Sequence, residues 1–99
     1  HLVMNFYMQS CPYCVRLQPD WNLLYDEFSN RTDVKFLLVE GPKIRKLGKK
    51  YHVNGFPTVI FVKGGSRGAI ANEFDEEIRN FTTLKNWLNT NLEHAHPHE

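Results

Sequence analysis

Apolar and polar positions change period along this chain, and the changes mark its elements. LVMNFYM (2–8) is short, apolar and aromatic-rich, which predicts a buried strand. Residues 12–29 then carry Cys14, Leu17, Trp21, Leu24, Tyr25 and Phe28 in steps of three and four. That spacing predicts a helix with one inward face. Pro19 falls inside it, where a missing backbone donor usually costs about 3 kcal/mol and kinks the helix. NRTD (30–33) reads as a turn, and VKFLLVE (34–40) as a second strand, unalternating enough to be covered on both faces.

Gly41-Pro42 punctuates the chain, and a shorter helix is expected over 43–51 with Ile44, Leu47 and Tyr51 inward. PTVIFV (57–62) is a third strand, KGGSRG (63–68) a glycine-rich hairpin turn, and 69–75 a fourth strand. Thr82 or Thr83 is the expected cap of a last helix carrying Leu84, Leu88 and Leu92 on one face. The order is βαβαββα in a single domain over residues 1–92. Its first half implies a parallel strand pair and its hairpin an antiparallel one, hence an α/β fold with a four-stranded mixed sheet flanked by helices.

Residues 93–99 close the chain as a His-rich tail, with His94, His96 and His98 around Pro97. It reads as disordered or as a remnant of cloning, with metal binding as the other reading. Ninety-nine residues allow one modest core, and a net charge of +1 offers no global attraction for nucleic acid or an anionic membrane. No apolar run reaches the ~18–20 residues of a membrane span, so no membrane contact is expected from this segment. The chain opens at His1, without an initiator Met and directly on apolar sequence, as an excised, monomeric domain of a larger protein would.

The only two cysteines are Cys11 and Cys14, in CPYC, where the first strand hands over to the first helix. Open α/β sheets place their sites at that end of a central strand. A structural bridge would close a very small loop and stabilise little. A structural zinc site wants four ligands, and one C-x-x-C supplies two, with His52 and the tail histidines as spare donors; no metal site is expected. A reactive dithiol explains more. Cys11 at a helix N-terminus meets unpaired N–H groups that favour its thiolate, while Cys14, one turn in, points toward the core. Pro12 suits the first helical turn because it has no N–H to leave unpaired.

FYMQSCPYCVRLQPDW resembles the active-site segment of the thioredoxin superfamily. Phe6-Tyr7, Arg16-Leu17 and Pro19, five residues after Cys14, are similar to its protein disulfide isomerase branch, and so is YHVNGFPTVIFVKGG (51–65). IRNFTTLKNWL (78–88) looks like the closing helix of that branch, and the resemblance runs from about residue 2 to 92. It implies a minimal thioredoxin-like fold without the leading strand and helix of full isomerase domains, and a thiol–disulfide oxidoreductase or isomerase acting on cysteine-containing clients. Cys11 would be the nucleophile, Cys14 the resolving thiol, and Arg79 a cation approaching Cys14. Pro57 would be cis and face the dithiol, with Pro12, Tyr13 and Phe56 shaping the substrate edge. No cofactor is implied beyond the redox-active Cys11–Cys14 disulfide, and the implied compartment is the endoplasmic reticulum lumen or another secretory one. The Pro-Tyr dipeptide is shared with glutaredoxins, which keeps glutathione as a possible partner and a glutathione-dependent oxidoreductase as an alternative. A client-binding module with little turnover is the other.

Three positions depart from the resemblance. Asn5 stands where the family carries a buried acid, Leu38 where the isomerase branch pairs that acid with lysine, and Ser10 where tryptophan is usual. Asn5 is expected to be a buried, hydrogen-bonded amide. KIRKLGKK (43–50) is strongly basic and reads first as a solvated helix face, second as a surface for anionic partners. Asn30-Arg31-Thr32 and Asn80-Phe81-Thr82 are glycosylation sequons.

Overall fold

The apolar stripe Cys14, Leu17, Trp21, Leu24 and Phe28 runs down one side of a helix and closes over a four-stranded sheet. The computed structural model describes residues 1–95. Its elements are β1 (Leu2–Tyr7), α1 (Pro12–Phe28), β2 (Lys35–Glu40), α2 (Arg45–Lys50), β3 (Thr58–Val62), β4 (Ala71–Glu73) and α3 (Phe81–Ala95). The sheet order is β2-β1-β3-β4, with β1 parallel to β2 and antiparallel to β3, and β3 antiparallel to β4. The βαβαββα order and the mixed sheet are as the hydrophobic pattern predicts.

Alternation along β1 sends Val3 into the core under α1 and α3, and Met4 and Phe6 to the opposite face. The first core is the larger, with Trp21, Leu24, Phe61, Leu84 and Leu88 at its centre. The second joins Met4, Phe6, Val39, Ile60 and Val62, with Leu47, Tyr51 and Phe56 packed against it. Pro19 does not interrupt α1. The proline lies exposed, and so does Val15, whose carbonyl would have been its partner, so water can take the orphaned acceptor.

Several expectations are corrected. Tyr25 is 52% exposed because it lies off the centre of the α1 stripe; only its ring edge meets Phe36, at 5.7 Å. The second strand is not covered on both faces. β2 is the sheet edge, and Leu37 and Leu38 are 44% and 55% exposed. With six residues, α2 spans about 9 Å, too little to shelter both Val39 and Leu37. A 3-10 turn over Gly41–Lys43 takes the first residues expected in that helix, and Ile44 is exposed in front of it.

α3 is capped not by Thr82 or Thr83 but by Asn80, whose Oδ1 accepts from the Thr83 N–H at 3.0 Å while Thr83 Oγ1 accepts from the Asn80 N–H at 3.0 Å. Asp20 of α1 adds a carboxylate that accepts from the Phe81 N–H at 3.1 Å, where the helix dipole favours negative charge. The helix also runs past residue 92 to Ala95, which is buried in the core. Residues 96–99 of the His-rich tail lie outside the described residues.

Leu24 is fully buried and Leu23 beside it is half exposed. Leu24→Ala is expected to lower the unfolding free energy by about 2–5 kcal/mol. Leu23→Ala should stay within about 0.5 kcal/mol of the parent. Urea denaturation of the three proteins measures both.

Candidate functional site

β1 ends at Tyr7 on an interior strand of the sheet, and a tight turn delivers the chain to Cys11, whose N–H donates to the Met8 carbonyl at 3.1 Å. Cys11 is the N-cap of α1, with extended backbone (φ −82°, ψ 116°), and Pro12 follows in the first turn. A capping side chain must accept from the first-turn N–H groups. Here the acceptor is sulfur: the Cys14 N–H donates to Cys11 Sγ at 3.3 Å. The Cys11 thiol in turn donates to the Phe56 carbonyl at 3.5 Å. The Phe56–Pro57 peptide is cis and Pro57 is buried, as the resemblance implies. The β1–α1 junction and the approach to β3 thus meet at one sulfur.

The two thiols, both unbridged, are nearly equal in exposure, 7% for Cys11 and 8% for Cys14, so Cys11 is not the exposed member of the pair. Their electrostatics separate them. Hydrogen bonding from the Cys14 side chain, then from the backbone of Cys14 and Tyr13, pulls the Cys11 pKa below the ordinary thiol value. Burial pushes Cys14 above it, and the bond to Cys11 pushes the same way. Arg79, exposed in the segment between β4 and α3, favours both thiolates through its charge and is the weakest influence on each. The N–H donors of the helix start were expected from the sequence. The larger contribution, one thiol stabilising the other, was not; its signal is the C-x-x-C spacing itself, one helical turn.

Around the sulfurs the surface is apolar and aromatic. Tyr13 is 65% exposed, with the Arg16 guanidinium 5.5 Å from its ring centre; Pro12 and Val15 are exposed and Phe56 is half buried. Gly41 makes room for Phe56: a Cβ there would lie 2.1 Å from the ring.

A cavity of about 260 Å³ reaches Cys14 from the side of α1 that faces the sheet edge. Asn5, Gln18, Asn22, Trp21 and Leu38 help to line it, and among the described residues no carboxylate or imidazole does. Gln18 and Asn22 follow Cys14 at steps of four, a spacing that could have placed them beside it from the sequence. Asn5 is 4% exposed and paired in register with Leu38, so the two departures from the family pattern are neighbours. The expected hydrogen bonding of Asn5 is corrected: among the described residues its Oδ1 has no partner. Of the two sequons, Asn30 is exposed, whereas Asn80 is half buried and its amide caps α3.

The thioredoxin family model matches residues 1–90. The chain belongs to the thioredoxin family. Among curated relatives, this thioredoxin domain is 32% identical over 66 residues to a probable protein disulfide-isomerase A6 of Medicago sativa, covering 67% of this chain and 18% of the relative. It is 34% identical over 67 residues to human protein disulfide-isomerase A6 (65% and 15%), and 28% identical over 91 residues to protein disulfide-isomerase 1 of Dictyostelium discoideum (90% and 24%). The chain therefore spans a quarter or less of these relatives. Among solved structures, the J-Trx1 fragment of ERdj5 superposes with a TM-score of 0.78 at 21% identity, covering 93% of this chain and 43% of that one. The first thioredoxin domain of mouse protein disulfide-isomerase A4 gives 0.76 at 19% identity, covering 99% and 65%. The thioredoxin domain is thus of the kind found in disulfide isomerases.

The opposed thiols can be read by alkylation. Labelling of Cys11 should titrate with a midpoint below the ~8.5 of a free thiol and Cys14 above it, so Cys11 is labelled first as the pH rises. Cys14→Ala should raise the Cys11 midpoint part of the way back, and Cys14→Ser, which keeps a donor, by less; mass-resolved alkylation rates against pH give both values.

Asn5→Asp puts a carboxyl in the cavity with no cation opposite, so burial should raise its folded pKa above the ~3.9 of the unfolded chain. The folded state then holds a proton that the unfolded state has lost, and stability falls as pH rises from about 4 through the raised value. Relative to the parent, Asn5→Asp should be less stable at pH 8 than at pH 4, by about 1.4 kcal/mol for every tenfold weakening of the acid on folding, as read by urea denaturation.

Proposed function

We propose that this domain is a thiol–disulfide oxidoreductase of the disulfide isomerase type, acting on cysteine-containing client proteins. The observation that carries the reading is the opposed tuning of two thiols one helical turn apart, the first lowered by hydrogen bonds and the second raised by burial. Thiolate attacks and thiol waits, so the pair has a direction built into it.

In the reducing direction, Cys11 Sγ attacks one sulfur of a client disulfide. A Cys11–client bond forms, the client S–S bond breaks, and the other client sulfur leaves as thiolate. Cys14 then loses its proton and attacks Cys11 Sγ; the client's second thiolate leaves, and Cys11 and Cys14 share a disulfide. Two electrons pass from the dithiol to the client. The same steps run backwards oxidise a client dithiol. The chemistry is carried by the two cysteines, and Arg79 supports both thiolates from the surface.

Tyr13, Pro12 and Phe56 offer the client an apolar edge, and Pro57 shapes it next to the sulfur. Phe56 connects to Cys11 through its carbonyl, so a chain lying along this edge meets the nucleophile directly. The similarity to disulfide isomerases, and the exposed sequon at Asn30, support a secretory compartment, where client disulfides form and persist.

The absence of an acid or imidazole from the Cys14 cavity favours slow resolution, because Asn5 cannot accept the Cys14 proton. Long-lived mixed disulfides with clients are the consequence, and they bring the domain toward a client-holding role.

Cys14→Ser should trap mixed disulfides with reduced-and-reoxidised client proteins on non-reducing gels, and Cys11→Ser should trap none. Insulin reduction with dithiothreitol should be catalysed by the parent and abolished in Cys11→Ser. Trapping through Cys14 instead of Cys11 would reverse the roles assigned here, and catalysis equal to dithiothreitol alone would remove the enzyme reading.

A further inference from the structure

We infer that the groove beside Cys11 selects acidic client segments. This rests on the oxidoreductase reading and names the clients it would serve. The groove, about 510 Å³, is lined by Phe6, Pro42, Arg45, Lys49, His52 and Phe56, and among the described residues no carboxylate lines it. Phe56 joins it to the dithiol, since the Phe56 carbonyl accepts from the Cys11 thiol at 3.5 Å.

Arg45 and Lys49 are four residues apart on α2 and so share the face that looks into the groove. The basic run around them is not neutralised within the fold. Lys43 is held by Glu40 at 3.2 Å; among the described residues Arg45, Lys46, Lys49 and Lys50 carry no salt bridge. The exposed cations Lys46 and Lys50 extend the positive surface past the groove itself. A solvated helix face needs neither the concavity nor the continuity with the nucleophile.

The third lining group points the same way. α2 closes with the Val53 N–H donating to Gly48 O at 2.9 Å and the His52 N–H to Lys49 O at 3.3 Å, which puts His52 in the left-handed region at φ 57°. Glycine is the usual residue in that position, because a Cβ is strained there. The turn brings His52 to the lining of the groove, beside the two cations. Arg45, Lys49 and His52 together present donors and positive charge to a chain that has its cysteine at Cys11 and its carboxylates along α2. The cations Lys46 and Lys50 beyond the groove suit an extended acidic segment rather than a small dianion.

The test uses short fluorescent peptides in which a central serine replaces the client cysteine, flanked by glutamates or by lysines, so that binding is read without turnover. At low salt the acidic peptide should bind roughly fivefold to tenfold more tightly than the charge-reversed one, and salt should erase the difference. R45Q/K49Q should lose the preference. K35Q/K63Q removes the same charge elsewhere and should keep it, Lys35 lying where β2 begins beside Leu2, at the end of the sheet away from the dithiol. Amide shifts on adding the acidic peptide should centre on Arg45, Gly48, Lys49 and His52.

Equal affinities, equal loss in both double variants, or shifts centred elsewhere would overturn the inference. Glutathione disulfide binding the same amides as tightly as the acidic peptide would overturn the assignment to a client segment. Intact peptide preference in a domain that fails to reduce insulin would uphold the groove and sink the oxidoreductase reading, so the two failures are separable.

Discussion

One sulfur atom holds two parts of this domain together. Cys11 Sγ accepts from the first turn of α1 and donates to the carbonyl at the entry to β3, so the helix start and the Phe56–Pro57 segment are positioned against each other through it. An N-cap is ordinarily Ser, Thr, Asp or Asn, whose oxygen does the same work more strongly. Sulfur is the weaker acceptor, and the shortfall is the useful property: a cap that ionises gains strength as it becomes a nucleophile. The N–H groups that need a partner in the resting helix are those that favour negative charge on the reactive atom. Helix initiation and thiol activation are one interaction here.

What the sequence made legible follows from how local each interaction is. The α1 stripe and the strand-to-helix position of CPYC depend on periodicity and one turn of backbone, and the structure reproduces both. Pro57 was placed opposite the dithiol by resemblance, since nothing in PTVIFV itself says what lies across from it. The misses are all questions of what covers what. VKFLLVE reads as doubly buried because its apolar run is continuous, yet a strand's cover is set by neighbours the run does not encode; at the sheet edge beside a six-residue helix, Leu37 and Leu38 stay in water. Asn80 rather than Thr82 or Thr83 caps α3, and the start is reinforced by Asp20, sixty-one residues before the Phe81 N–H it accepts from. The joining of Arg45, Lys49 and His52 to Phe56 in one groove likewise depends on a turn whose left-handed residue is a histidine, which no periodicity announces.

The two sides of the dithiol differ in kind. On the Cys14 side, the cavity is lined by the amides of Asn5, Gln9, Gln18 and Asn22, the rings of Tyr7 and Trp21 and aliphatic groups, and the buried Asn5 Oδ1 is without a partner among the described residues. On the Cys11 side, the groove is cationic and open. A neutral lining leaves burial unopposed, so Cys14 holds its proton; a carboxylate at residue 5 without the lysine that Leu38 replaces would carry an uncompensated charge into the same space. Replacing both partners by neutral residues avoids that penalty and removes the proton acceptor in one step.

In the proposed reaction, that exchange has a consequence for the lifetime of the mixed disulfide with a client. The first step needs only a thiolate at Cys11, which hydrogen bonds supply. The second needs Cys14 to lose a proton, against burial, into a cavity where no carboxylate or imidazole stands among the described residues. Slowing the second step relative to the first lengthens the life of the mixed disulfide, in which the client is tethered at Cys11 and its flanking residues rest along Phe56 and α2. Contacts along that edge then act on a covalently held segment, at high effective concentration, where modest attractions between exposed charges suffice to sort one client from another. The proposed groove and the proposed slow resolving thiol would therefore reinforce each other: each would make the other more consequential for which disulfide is finally formed.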